Sequence, residues 1–221
     1  MKYYPVFLDV KGRSCLVVGG GSVGARKAVT LLDCGASVTV VSPTIDANLM
    51  MLVKMKPLSL EQRSFRFSDL KDKFLVIGAT DDQDLNQQIH AESERLGILC
   101  NIADQPEACN FILPSIVRKG DLVIAISTSG TSPAFAKKLR QDFERQLGNE
   151  YAAFLELMGA IRKKLLAKNH KPEMHKPLFE QLINSGLMEM IRDRKQTEIN
   201  LLLREVLGEG YMFEELIPAD R

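Results

Sequence analysis

The stretch Cys15–Leu16–Val17–Val18–Gly19–Gly20–Gly21–Ser22–Val23–Gly24 decides the fold. Ser14–Val18 is apolar and valine-rich, as a strand buried on both faces should be, and it runs straight into three glycines. A helical pattern follows, with Val23, Ala25, Ala28, Val29 and Leu32 on one broad face and Gly35 placed to end it. The spacing of Gly19, Gly21 and Gly24 matches G-x-G-x-x-G between strand and helix. Gly19 permits the tight turn, Gly21 lets the backbone approach a pyrophosphate, and Gly24 lets the helix pack closely on the sheet. Phosphate charge at such a turn meets unpaired helix amides and the positive end of the helix dipole. Gly19, Gly20, Gly21, Ser22, Val23 and Gly24 are therefore candidate dinucleotide contacts.

Outward from this turn the same alternation continues. Ser37–Val41 reads as a second strand closed by Pro43, Ser64–Phe67 as a short one, and Phe74–Ile77 as a better one. Asp82 can cap a helix that Gly97 ends near Leu96, and Ile98–Ile102 follows as a further strand. Strands alternating with helices predict a mostly parallel, Rossmann-type α/β sheet with helices on both faces. Strand-end loops in such sheets face the ligand crevice, which adds Thr80 and Asp81 to the candidate cofactor contacts. The second strand ends at Ser42 rather than at an acid, so its contact with an adenine ribose would be a weaker hydrogen bond. No Lys or Arg immediately follows this strand to meet an extra phosphate, which favours NAD over its phosphorylated form.

After Pro114 the pattern changes. Leu122–Ile126 is a strongly apolar strand, and Ser132–Pro133 caps a helix lined by Ala136, Leu139, Phe143 and Leu147. A helix from Glu150 to about Lys168, a polar linker over Asn169–Pro177, and helices near Leu178–Ile183, Leu187–Arg192 and Thr197–Leu207 complete the chain. The expected organisation is a nucleotide-binding domain over 1–113, a central segment over 114–150 and a small helical domain over 151–221.

Composition limits the function classes. With 29 Lys or Arg against 28 Asp or Glu, the 221-residue chain lacks the basic excess of a non-specific nucleic-acid binder. Locally, residues 115–171 hold eleven basic residues and five acids, a possible wall for a polyanion. The four cysteines form no CxxC pair, and the three histidines form no compact cluster with acids or cysteines, so no metal site is expected. No apolar run approaches the length of a membrane span, and the expected location is the cytoplasm.

Several separated motifs occur in order: Tyr4–Pro5–Val6–Phe7–Leu8 with Lys11–Gly12, Gly78–Ala79–Thr80–Asp81, Asn101–Ile102–Ala103–Asp104, Phe111–Ile112–Leu113–Pro114–Ser115 and Thr128–Ser129–Gly130–Thr131–Ser132–Pro133. Together with the glycine turn they resemble the siroheme synthase family, which includes the free-standing precorrin-2 dehydrogenases. The resemblance is strong over about 1–147 and weaker through the helical tail. It implies a Rossmann domain, a central dimerisation segment exchanged in a homodimer, and a small helical domain. It also implies NAD-dependent oxidation of precorrin-2 to sirohydrochlorin, with ferrous iron insertion added in some members. The family's essential aspartate falls on Asp104, as base or as substrate positioner, and its serine on Ser129. Asn101, Arg118, Lys119, Ser129 and Lys137 are then candidate contacts for a substrate rich in carboxylates. A non-catalytic NAD-sensing module would explain the glycine turn but not the block from Pro114 to Pro133.

Overall fold

A computed structural model describes residues 2–167 and 172–218. The chain divides into two compact units, Met1–Leu113 and Pro114–Arg221.

The first unit is a five-stranded, wholly parallel sheet in the order β3-β2-β1-β4-β5. Its strands are β1 (Ser14–Val18), β2 (Ser37–Val41), β3 (Leu58–Glu61), β4 (Leu75–Gly78) and β5 (Leu99–Ile102), connected through α1 (Ser22–Asp33), α2 (Ala47–Met55) and α3 (Gln83–Leu96). Central β1 pairs with β2 and β4, and its side chains alternate between two cores. Cys15 and Val17 join Ala25, Ala28 and Leu31 of α1, while Leu16 and Val18 pack with Ile89 of α3 and Ile102. Burial on both faces is why the strand is apolar without interruption. The order in which strands are added reverses between β1 and β4, and the glycine turn and the loops after β4 and β5 all lie at the carboxyl ends of the strands, the usual place for a ligand.

The strand expected at Ser64–Phe67 is displaced. The edge strand is β3, where Leu58 and Leu60 point inward, and Phe67–Leu70 is a turn of 3₁₀ helix. Phe65 and Phe67 alternate as strand residues would, but they stack edge to face at 5.9 Å. Asp69 fixes that turn by accepting the Arg66 N–H and pairing with Arg63. Helix α2 had no counterpart in the sequence expectations.

The second unit opens with a β-hairpin, β6 (Ser115–Lys119) and β7 (Leu122–Ile126), joined at Gly120–Asp121. Strand β6 was not anticipated, because only Val117 of its five residues is buried. Helix α4 (Pro133–Gln146) follows with Ser132 accepting the Phe135 N–H, as its sequence implied. The remaining helices are α5 (Glu150–Ala167), α6 (Pro172–Asn184), α7 (Leu187–Arg192), α8 (Gln196–Leu207) and α9 (Phe213–Leu216). Phe154, Leu157, Ile161, Leu182, Leu187, Ile199 and Leu203 form the core of these helices. The expected linker is overturned from Pro172 onward, since α6 carries His175 as a buried residue. The rest of that linker, with His170, and Lys168 at the expected end of the preceding helix lie outside the described residues.

Candidate functional site

The glycine turn is built by contacts that leave no room for side chains at three of its four glycines. Gly19 has φ +120° and donates to the Val41 carbonyl at 3.0 Å; a Cβ on it would lie 2.1 Å from the Ala79 carbonyl oxygen. A Cβ on Gly20 would meet the Thr44 carbonyl oxygen at 2.3 Å, and one on Gly24 would meet the Gly19 carbonyl oxygen at 2.0 Å. Gly21 is the exception, with nothing within 4 Å of such an atom. It occupies the N-cap of α1, where no side chain caps the helix and the first turn carries no acid. Free amide donors and an open approach suit a pyrophosphate, so these residues fit a bound dinucleotide. Ser22 and Val23 form the first turn of α1, exposed and half-buried respectively.

Two of the polar side chains expected to touch the cofactor, Ser42 and Thr80, make hydrogen bonds within the protein. Ser42 is 4% exposed, and its hydroxyl donates to the Thr44 carbonyl at 2.6 Å. The Asp46 N–H donates to the Gly20 carbonyl at 2.9 Å, tying the loop after β2 to the glycine turn. The Thr80 hydroxyl lies 3.1 Å from the Asp82 carbonyl and 3.2 Å from Asn86 Oδ1, and Asn86 donates back to the Thr80 carbonyl at 3.0 Å. Thr80 thus anchors the start of α3, whose N-cap is Asp82. Asp81 is exposed beside it.

Asp104 sits two residues beyond β5, exposed and with φ +60°. That left-handed geometry suits aspartate better than most side chains. The loop carrying it is gathered around Cys109. The Cys109 sulfur accepts the Ile102 N–H at 3.2 Å and the Asn101 amide at 3.4 Å. It lies 3.3 Å from the Ile102 carbonyl and 3.2 Å from that of Gln105, either of which can take its proton. Burial pushes the thiol pKa up, which keeps that proton in place. Asn101 is itself buried and donates to the Phe111 carbonyl at 3.0 Å. Half-buried Lys27, in the second turn of α1, lies within electrostatic reach of Asp104 and Cys109. Burial and then Arg26 lower its pKa, while the charges of Asp104 and Cys109 oppose them. Neither Lys27 nor Cys109 was singled out from sequence; no motif connects them to Asp104.

In the second unit, Ser129 (φ +53°) and Gly130 occupy an exposed turn before α4. The turn is braced by Ser129 N–H donating to the Ser127 hydroxyl at 3.0 Å and Ser132 N–H donating to that of Thr128 at 3.1 Å. Three of the eleven basic residues of that stretch are neutralised within α4: Lys138 pairs with Asp142 at 3.1 Å, Arg140 with Glu144 at 2.5 Å, and Arg145 with Asp142. Among the described residues, Arg118, Lys119 and Lys137 form no ion pair, and Arg118 donates to the Gly120 carbonyl at 3.3 Å. No group of three or more His, Cys, Asp or Glu among the described residues could hold a metal ion. No helix among them is long and apolar enough to cross a membrane.

Comparison with known proteins gives two family matches. Residues 6–115 match a family described as "Putative NAD(P)-binding", and residues 119–146 match the sirohaem biosynthesis protein central family. The chain is 33% identical over 215 residues to a siroheme synthase of Nitrosococcus oceani, covering 97% of the chain and 46% of that protein. It is 36% identical over 209 residues to a siroheme synthase of Nitrosomonas eutropha, covering 94% and 44%. The chain therefore spans about half the length of the curated relatives it matches. A solved structure titled "SirC, precorrin-2 dehydrogenase" superposes with a TM-score of 0.73 at 27% identity, covering 92% of this chain and 98% of that one. With its parallel sheet, its glycine turn and these matches, the N-terminal domain belongs to the siroheme synthase / precorrin-2 dehydrogenase family.

Proposed function

We propose that this protein is an NAD-dependent dehydrogenase that oxidises precorrin-2 to sirohydrochlorin. The observation that carries the reading is the match to 98% of a precorrin-2 dehydrogenase chain. It gains local support from the open Gly21 above an uncapped helix N-terminus. The reaction transfers two electrons and one hydrogen nucleus from the reduced macrocycle to NAD, and releases a second proton from the ring. Bound NAD supplies the electron acceptor. The chain's own residues do the rest: the glycine turn and the α1 amides hold the pyrophosphate, while Gly19 and Gly24 keep the turn closed. Asp104 takes the ring proton or holds the substrate for its departure. Lys137, Arg118 and Lys119 are charges available to substrate carboxylates, with Ser129 presented on its turn.

Two copies of the chain form the working enzyme in this reading. The hairpin supports it: it packs against α4 and α5 around buried Val117, while the face bearing Ile116 (42% exposed) and Val123 (38% exposed) is left open. A purely NAD-sensing role does not account for the match of residues 119–146 to a sirohaem-specific family.

The test is anaerobic incubation of the protein with precorrin-2 and NAD, following NADH and the product spectrum. Sirohydrochlorin formed above an enzyme-free control supports the reading, and none overturns it. Adding ferrous iron to the product then measures iron insertion separately. Light scattering of the same sample reports whether one or two copies are present.

A further inference from the structure

The loop that bears Asp104 leaves the edge strand of the sheet; on its inner side the Ala103 N–H donates to the Gly78 carbonyl of β4 at 2.8 Å, and on its open side it is held by hydrogen bonds to later residues. Those bonds come from side chains standing in for a missing sixth strand. Asn110 Oδ1 accepts the Cys100 N–H at 2.8 Å, and its amide donates to the Ile98 carbonyl at 3.0 Å. The Asn110 N–H donates to the Cys100 carbonyl at 3.1 Å. One residue earlier, the Cys109 sulfur gathers Asn101, Ile102 and Gln105. The enclosed residues 103–108 can only turn back sharply, and Asp104 takes the left-handed conformation at that reversal.

We propose that Asn101 and Cys109 form a clasp that positions Asp104, with Cys109 as a positioning residue for the oxidation of the macrocycle. This rests on the dehydrogenase reading of the site. A thiol suits the task because one atom accepts two donors and still offers a proton, and its long C–S bond reaches both sides of the loop. Each sulfur contact is weak, and together they fix the backbone on both sides of Asp104. No hydrogen bond of Asn101 or Cys109 reaches the glycine turn, so loss of the clasp is expected to leave NAD affinity unchanged.

The experiment compares Cys109→Ala and Cys109→Ser with the wild type in precorrin-2 oxidation, NAD titration and amide hydrogen exchange. Cys109→Ala should lower kcat by roughly 10-fold, the scale of a small misplacement of a reacting group. Its NAD affinity should be unchanged, and exchange at the Ile102 amide should speed up. Cys109→Ser keeps one donor and one acceptor at the same position and should recover much of the lost kcat. Wild-type kcat in Cys109→Ala overturns the clasp and leaves the dehydrogenase reading intact. Equal loss in both variants also overturns it, because packing alone would then explain the effect. A wild-type protein that cannot oxidise precorrin-2 removes the dehydrogenase reading instead, and unchanged Ile102 exchange in Cys109→Ala then removes the clasp independently.

Discussion

Gly24 lies directly beneath Gly19, so that a Cβ on Gly24 would stand 2.0 Å from the Gly19 carbonyl oxygen. The helix begins where it does because no side chain intervenes at this contact. The atom that would be struck is backbone, which cannot swing aside. Gly24→Ala should therefore cost about 1–3 kcal/mol of stability through overpacking. It should also weaken NAD binding, because relief of the clash opens the turn. Urea unfolding and calorimetric titration check the two effects.

Gly21 provides the complementary case. Nothing lies within 4 Å of a Cβ there, and its φ of −79° is ordinary for alanine. Gly21→Ala should fold with nearly unchanged stability and yet bind NAD at least about 10-fold more weakly, a loss of roughly 1.4 kcal/mol. Unchanged affinity would show that the pyrophosphate does not approach this backbone.

The difference between these glycines was only partly legible in sequence. The G-x-G-x-x-G spacing located the turn, and the caps Asp82, Gly97 and Ser132 located two helix starts and one helix end, because each signal is local. Gly20 was legible only as a candidate dinucleotide contact and not as a packing position, since its neighbours Ser42 and Thr44 arrive from beyond the next strand. Strand β3 was misplaced because Phe65 and Phe67 imitate the period of two that Leu58 and Leu60 use. Strand β6 went unseen because a hairpin strand with a single buried residue carries little apolar signal. Asp104 is proposed from its motif alone. Its surroundings were not legible: the sulfur of Cys109 holds the backbone on either side of it, and Lys27 feels its charge, through tertiary proximity that leaves no spacing to read.

Ser42 immediately follows β2 but keeps its hydroxyl inside, donating to the Thr44 carbonyl. Ser42→Ala should cost about 1 kcal/mol, the worth of one hydrogen bond, and leave NAD affinity within about 2-fold of wild type. A larger loss of affinity at unchanged stability would return Ser42 to the ribose.

Two buried thiols make the fold sensitive to alkali. Burial pushes Cys15 up to about 11, against an opposing effect of Lys73, and burial likewise raises Cys100 to about 11. The unfolded thiols ionise near the ordinary value of 9.0, so the unfolded state alone loses these protons first. The stabilisation is fully present below pH 9 and is lost as pH rises toward 11. Each thiol should contribute about 2–3 kcal/mol to this loss. Denaturant titrations across that range should show a shallower alkaline decline for Cys15→Ala. An identical decline would assign the alkaline sensitivity elsewhere.

Asparagine accepts the left-handed conformation of Asp104 as readily as aspartate does, so Asp104→Asn removes the charge without disturbing the backbone. The most direct measurement of the central claim is a single anaerobic turnover of precorrin-2 with NAD, run in parallel on the wild type and this variant. The wild type should produce equal amounts of NADH and sirohydrochlorin. The variant should bind NAD normally and turn over on the order of 10²-fold more slowly. No NADH from the wild type, or equal rates in both proteins, would contradict the account.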